Sequence, residues 1–299
     1  MTAILACVDA LRTVLVLDES HAAKNWDPLT STSMRHMSPR CVDRWLLSGT
    51  PVTNTPADLY TQIEIIAPGE HALGSLESFL ARVEGDPTAG FAKSALDRLV
   101  LRRTKEECLD LPEKTFTDIV VELPDWQRSL YDEMREQMVC DIRDMSGERY
   151  RAFASTALAQ FTRLSQLASN PSLLLPDLAR TPAKFDVLDG LVGDILSVPG
   201  RKIILWSNYV RNIELLLARF ASHGVVAIYG GVETGERQDI AARFQNDPNT
   251  RILIANAAAA GTGFTLTAAS FTIYESMSWA SITMLRAKTA ITASVKPSR

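Results

Sequence analysis

At 299 residues with 46% hydrophobic content, the chain is long enough to bury two cores, so two domains are the natural expectation. A net charge of −4 excludes a polyanion binder acting through global charge and leaves any nucleic-acid contact to a local basic groove. The four cysteines, Cys7, Cys41, Cys108 and Cys140, have neither metal-ligand spacing nor close pairing, which points to free thiols in the reducing cytoplasm. The opening residues are too polar for a signal peptide, and no stretch approaches a membrane span.

Val14-Leu15-Val16-Leu17, ending in Asp18-Glu19-Ser20-His21, reads as a buried parallel strand whose carboxyl end opens into a ligand crevice. In nucleoside triphosphate chemistry the first carboxylate holds Mg²⁺ through its water shell, and the second orients and deprotonates the attacking water. A second apolar strand, Trp45 to Leu47, runs into Ser48-Gly49-Thr50-Pro51, two hydroxyls and a glycine placed to report the phosphate state. Ala57 to Ile66 reads as a helix stopped by Pro68-Gly69. Residues 70–110 read as short amphipathic helices around Gly85-Asp86-Pro87.

Asp118 to Val121 predicts a strand, and Pro124 to Ser169 predicts two helices. The first carries Leu130, Met134 and Met138 on one face, the second Ala157, Phe161, Leu164 and Leu167, with packing as their role. Pro171 and Pro176 mark a linker, and Pro182-Ala183-Lys184 starts a helix lined by Leu188, Leu191 and Ile195. Then come a strand to Trp206, a helix from Ile213 to Phe220, a strand Val225–Tyr229, a helix Arg237–Phe244, and strands Ile252–Ala255 and Phe271–Tyr274. Strands separated by helices argue for parallel sheets with right-handed crossovers. No Gly-x-Ser-x-Gly elbow occurs, and the four histidines suggest neither a triad nor a zinc cluster.

Asp18-Glu19-Ser20-His21, Ala23-Lys24-Asn25 and Leu47-Ser48-Gly49-Thr50-Pro51 resemble motifs II and III of the Swi/Snf-like ATPases of helicase superfamily two. Further segments resemble the same family in the same order. Leu101-Arg102-Arg103-Thr104-Lys105 with Leu111-Pro112-Glu113-Lys114 is similar to the join between helical insertions, and Gln166 to Pro171 to the helix end before the second motor domain. Ile203 to Tyr209 resembles motif IV, Ile228 to Gly231 with Arg237 the following strand and turn, and Ile254 to Leu266 motif V.

The resemblance implies an α/β fold of two RecA-like parallel-sheet lobes, the first incomplete, joined by helical insertions. It divides the chain into residues 1–66, the carboxyl half of lobe 1; 67–176, the helical insertion region; and 177–299, lobe 2. It implies ATP and Mg²⁺ as cofactors, with Asp18, Glu19 and His21 in catalysis, Asp18 holding Mg²⁺ through water, and Ser48, Gly49 and Thr50 coupling the motifs. His21 either couples the carboxylates to Ser48 and Thr50 or caps the strand's end, and the presence of motif III favours coupling. Double-stranded DNA is the implied partner, with a DNA-bound protein as a further one. Lys24, Asn25, Asn256, Thr262 and Thr265 are the implied DNA-backbone contacts, and Gly261 and Gly263 turn tightly beside a phosphate. Arg102 and Arg103, which as a lone pair would read as solvated, become interdomain candidates. Trp206 reads as core.

Two departures restrict the activity. No Gly-Lys is followed by Ser or Thr in a Gly-rich setting anywhere in the 299 residues, so the phosphate-binding loop of motif I is missing. Downstream of Trp279, Ala290 and Ala293 fall where the two arginines of motif VI are sought; losing an arginine finger removes ~10³–10⁵ in turnover. The expectation is a chain truncated at both ends relative to the family, inactive alone in ATP hydrolysis. The alternatives are a catalytically dead remnant that binds DNA or a protein, and one half of a split ATPase.

Overall fold

The computed structural model describes residues 2–26, 28–52, 55–86, 90–108, 110, 115–143, 148–260, 264 and 266–277. Two compact units divide the chain, over residues 1–110 and 111–279.

In the first unit, α1 (Thr2–Ala10) leads into β1 (Val14–Leu17), α2 (Leu29–Met37), β2 (Asp43–Leu46) and α3 (Asp58–Ile66). Three further helices follow: α4 (Leu76–Gly85), α5 (Lys93–Leu99) and α6 (Lys105–Cys108). β1 and β2 pair in parallel, with Leu15 opposite Arg44 and Val16 opposite Trp45. The two-residue period sends Leu15 inward among Val8, Ala23, Cys41 and Ile65. It sends Val14, Val16 and Trp45 the other way, where they are 47%, 56% and 63% exposed. The sequence reading of β1 as a buried strand is therefore corrected on one face: its apolar run is continuous, yet only its inner side is covered. Beside this sheet Trp26, Tyr60, Phe79 and Phe91 form a chain of ring contacts with centroids 5.4–5.5 Å apart, which anchors α3 to α4.

In the second unit, α7 (Asp125–Arg143) and α8 (Glu148–Ser169) form a long helical pair. Residues 115–124 before them, including the expected strand Asp118–Val121, carry no strand; Asp118, Ile119 and Val120 are exposed, Val120 at 89%. The β-branched run Ile119-Val120-Val121 suits a strand, but no described strand pairs with it, and an extended segment without a ladder is not a sheet member. The helix α9 (Ala183–Leu196) follows Pro182, then β3 (Ile203–Trp206), α10 (Val210–Arg219), β4 (Val225–Ile228), α11 (Thr234–Asn246), β5 (Ile252–Ala255), the single turn α12 (Ala257–Ala260) and β6 (Phe271–Tyr274).

These four strands form one parallel sheet in the order β4-β5-β3-β6. Alternation splits its side chains cleanly. Ile203, Leu205, Ile252 and Ile254 pack with Phe185, Leu188, Val192, Ile213 and Leu216 of α9 and α10. Ile204, Trp206, Val226, Ile228 and Leu253 pack with Ala241 and Phe244 of α11 and with Leu266. The result is a three-layer sandwich, in which each fully buried Ile or Leu contributes ~1.5–3 kcal/mol relative to exposure. Trp206 is 2% exposed, a core residue as its position in the strand suggested. One turn demands glycine: Gly224 has φ +67°, and a Cβ there would lie 1.8 Å from the Asn249 carbonyl oxygen. No helix among the described residues is long and apolar enough to cross a membrane.

Candidate functional site

β1 delivers two carboxylates to the carboxyl end of the first sheet. Asp18 is exposed, and one of its oxygens accepts the Glu19 N–H at 2.8 Å. Glu19 itself is left-handed, φ 50° and ψ 46°, an uncommon conformation for a residue with a Cβ and one that clusters at functional sites. This kink ends the strand and starts the short turn Ser20–Ala23. It also brings Glu19 Oε2 to 3.1 Å from His21 Nδ1.

The same nitrogen lies 3.3 Å from Ser48 Oγ, and Ser48 Oγ accepts the Thr50 N–H at 3.1 Å. A carboxylate at that distance is satisfied by the tautomer with hydrogen on Nδ1. Glu19, His21, Ser48 and Thr50 thus make one connected path between the ends of β1 and β2. The backbone reinforces it, because the Leu47 N–H donates to Leu17 O and the Ser20 N–H to Leu47 O, each at 2.9 Å. Gly49 has open space around it.

Gln62 is a residue that the sequence reading passed over. It is 5% exposed, and its amide oxygen accepts the Ser20 hydroxyl at 2.8 Å while its nitrogen donates to Pro51 O at 2.7 Å and Asp58 O at 2.8 Å. One side chain from α3 therefore clamps the carboxylate turn and the Ser48–Pro51 loop together. The signal was a lone amide on the apolar face of a predicted helix, where a buried polar group must find partners. Lys24 lies 4.0 Å from Asp58 Oδ2, and Asn25 is exposed. Arg102 and Arg103 are both exposed, with Arg103 donating to the Arg102 carbonyl at 3.0 Å.

The donor set of this end suits a hard cation held through water: an exposed carboxylate beside a second, partly buried one. The cradle of a triphosphate takes consecutive N–H groups and a lysine, and the 299 residues carry no Gly-Lys-Ser/Thr loop.

In the second unit the candidate crest is where β3 and β5 end. The chain leaves β3 toward β4 and leaves β5 toward β6, in opposite directions across the sheet, which makes this the switch point where open α/β sheets bind ligands. Asn256 spans it: its Nδ2 donates to Ser207 O at 3.4 Å and Asn208 O at 3.1 Å, and its Oδ1 accepts the Ala258 N–H at 2.9 Å. Its amide therefore braces the β3 and β5 loops. Gly261, Thr262, Gly263 and Thr265 lie outside the described residues, as do Trp279, Ala290 and Ala293. Among the described residues no group of three or more His, Cys, Asp or Glu side chains is arranged to hold a metal.

Comparison with known proteins places both units. Residues 5–173 match the SNF2-related domain, and residues 183–288 match the helicase conserved C-terminal domain. An uncharacterized ATP-dependent helicase of Mycoplasma pneumoniae is 27% identical over 272 residues, covering 89% of this chain and 25% of its own length. The DNA repair and recombination protein RAD54 of Saccharomyces cerevisiae is 26% identical over 314 residues, covering 89% of this chain and 34% of its own length. The chain thus spans about a quarter to a third of these relatives. Among solved structures, the Sulfolobus solfataricus SWI2/SNF2 ATPase core domain matches with a TM-score of 0.51 at 23% identity, covering 97% of this chain and 62% of that one. The shared fold is that of two RecA-like lobes.

Proposed function

The chain belongs to the Swi/Snf-like ATPases of helicase superfamily two, and from that membership we propose that it forms part of an ATP-driven double-stranded DNA translocase in the cytoplasm. In this reading its 299 residues carry the water-activating and DNA-contacting parts and do not hydrolyse ATP unaided. The observation that carries it is the path Glu19–His21–Ser48–Thr50 in a chain without a phosphate loop.

Magnesium-bound ATP, when a complete site holds it, supplies the phosphoryl group and the charge that the cation neutralises. Asp18 would hold that cation through its water shell. Glu19 orients the attacking water and takes its proton, while His21 fixes the Glu19 carboxylate and passes its position to Ser48 and Thr50. Lys24, Asn25 and the crest around Asn256, with Gly261, Thr262, Gly263 and Thr265, meet the phosphate backbone of a duplex, so binding is largely independent of sequence and falls with salt. Arg102 and Arg103 are the interdomain candidates that family membership implies. A DNA-bound protein is the object of the translocation. The absence of Gly-Lys-Ser/Thr also supports a second reading, in which the chain binds DNA as a catalytically dead remnant or takes its phosphate loop from a separate polypeptide.

DNA-stimulated ATP hydrolysis by the purified chain, with Glu19→Gln as control, tests the proposal. No turnover above the control, together with salt-sensitive duplex binding, is the expected result. Turnover abolished by Glu19→Gln would show a phosphate site built without the usual lysine and overturn the unaided-inactivity claim.

A further inference from the structure

Glu275 follows β6 at the crest of the second sheet and is only 4% exposed. Its carboxylate accepts hydrogen bonds from three hydroxyls: Ser169 on one oxygen, and Ser207 at 2.8 Å and Ser276 at 2.7 Å on the other. Lys184 Nζ donates to the Glu275 carbonyl oxygen at 2.8 Å, so a positive charge sits beside the residue while the hydroxyls hold its carboxylate.

The hydrogen bonds have a fixed direction. An ionised carboxylate only accepts, so each serine turns its proton toward Glu275 and leaves its oxygen open to a further donor. Ser169 Oγ accepts from Asn212 Nδ2, and Ser276 Oγ from the Asn208 N–H, both at 2.9 Å. Asn212 Oδ1 in turn accepts from Asn170 Nδ2 at 2.8 Å. Ser169, Asn170, Asn212 and Ser207 are each at most 2% exposed. One acceptor-only group thereby orders a chain of bonds from the last turn of α8, through the first turn of α10, to the 207–208 turn whose carbonyls receive Asn256.

We propose that Glu275 is the positioning residue of the DNA-contacting crest in the second unit, and that through Ser169 it makes the crest's geometry depend on the helical pair α7–α8. The proposal rests on the duplex-binding reading above. Any displacement of the α8 end moves Ser169, and a buried carboxylate oxygen is costly to leave unpaired, so Glu275 must follow and carry Ser207 with it. Glutamine in its place would be nearly the same shape but would present N–H groups where a hydroxyl now donates, so one arm of the network must break.

The full chain, a fluorescent DNA duplex titrated across salt concentrations, and amide hydrogen exchange at residues 206–208 and 255–258 provide the test. Glu275→Gln is expected to weaken duplex binding about tenfold and to speed exchange at both loops, with the salt dependence unchanged because no phosphate contact is lost. Ser169→Ala, on the helical arm, shifts both readouts the same way by less, and Glu275→Asp recovers part of the loss by keeping the charge. A Ser169→Ala chain with wild-type exchange at the crest, or a Glu275→Gln chain that binds as tightly as wild type, would overturn the proposal. So would a salt slope lowered by about one, the signature of a direct phosphate contact. If Glu275→Gln does not fold, Ser169→Ala and Ser207→Ala are combined: they touch opposite oxygens of one carboxylate, so non-additive exchange supports the network and additive exchange overturns it. A wild-type chain that binds no duplex at any salt defeats the duplex-binding reading, and exchange alone then decides whether Glu275 couples α8 to the crest.

Discussion

β3, β4, β5 and β6 are covered on both faces, by α9 and α10 on one side and α11 on the other, whereas β1 and β2 are covered on one. Both sheets are parallel and both are built from branched apolar runs, Ile203-Ile204-Leu205-Trp206 in one and Val14-Leu15-Val16-Leu17 in the other. The residue pattern is the same, yet all four residues of β3 are buried while β1 alternates between buried and exposed. A parallel strand's composition states a demand for two covering layers; whether the demand is met depends on what the rest of the chain brings. The unmet demand in the first unit lies beside the Asp18 and Glu19 carboxylates, and the met one lies beneath the crest.

The sharpest way to break this comparison is to truncate matched positions. Leu205→Ala removes a fully buried side chain and is expected to destabilise the second unit by about 2–5 kcal/mol. Val16→Ala, on the open face, should change stability by no more than about 0.5 kcal/mol. Urea unfolding followed by amide exchange in each unit separates the two, and equal losses would show that the β1 face is covered in solution. Wild-type chain under limited proteolysis should be cut first within residues 1–65; resistance equal to that of the second unit would sink the same contrast.

Gly224→Ala comes next. The residue has φ +67°, and the Asn249 carbonyl oxygen occupies the place of a Cβ, so strain alone costs about 1–3 kcal/mol and the clash adds to it. Its effect belongs to the second unit only. A thermal scan resolved by amide exchange at β1 and β5 should show β5 weakened and β1 unchanged. Gln62→Ala is the counterpart in the first unit, removing the side chain that accepts from the Ser20 hydroxyl and donates to the Pro51 and Asp58 carbonyls, at about 1–3 kcal/mol. Exchange at Ser48–Pro51 should rise with no change at β5. Protection maintained at that loop would mean the clamp is not what holds the two motifs together.

Much of this fold was legible because its signals are local. Pro182 before α9, Pro124 before α7, and the apolar runs of β3 and β5 each fix an element without help from distant residues. Asp118–Val121 was misread because a strand needs a partner, and a β-branched run in one segment says nothing about a partner elsewhere. The open face of β1 was hidden for the same reason. At the site, adjacent carboxylates after an apolar run announced themselves, and motif order suggested that His21 and Ser48 would meet; they lie 3.3 Å apart. Gln62 and Glu275 were missed because their importance is relational. A glutamine in a helix and a glutamate after a strand look like surface residues until the fold buries them at 5% and 4% exposure and surrounds them with hydroxyls and carbonyls.

The smallest effect refines the account of the covered sheet at its margin. Tyr274 ends β6, and burial pushes its phenol up to about 12 against a weaker opposing pull from the Thr272 hydroxyl; an unfolded chain releases that proton near 10. The folded state thus favours the neutral phenol, and its contribution to stability is complete below pH 10 and lost as pH climbs through about 12. Tyr274→Phe has no proton to release, so its urea midpoint should fall less than that of wild type between those two pH values, while the two chains respond alike to pH below 10. Parallel curves across the whole alkaline range would mean that the Tyr274 ring is as wet as an unfolded one, and that the cover over the second sheet stops before the tip of β6.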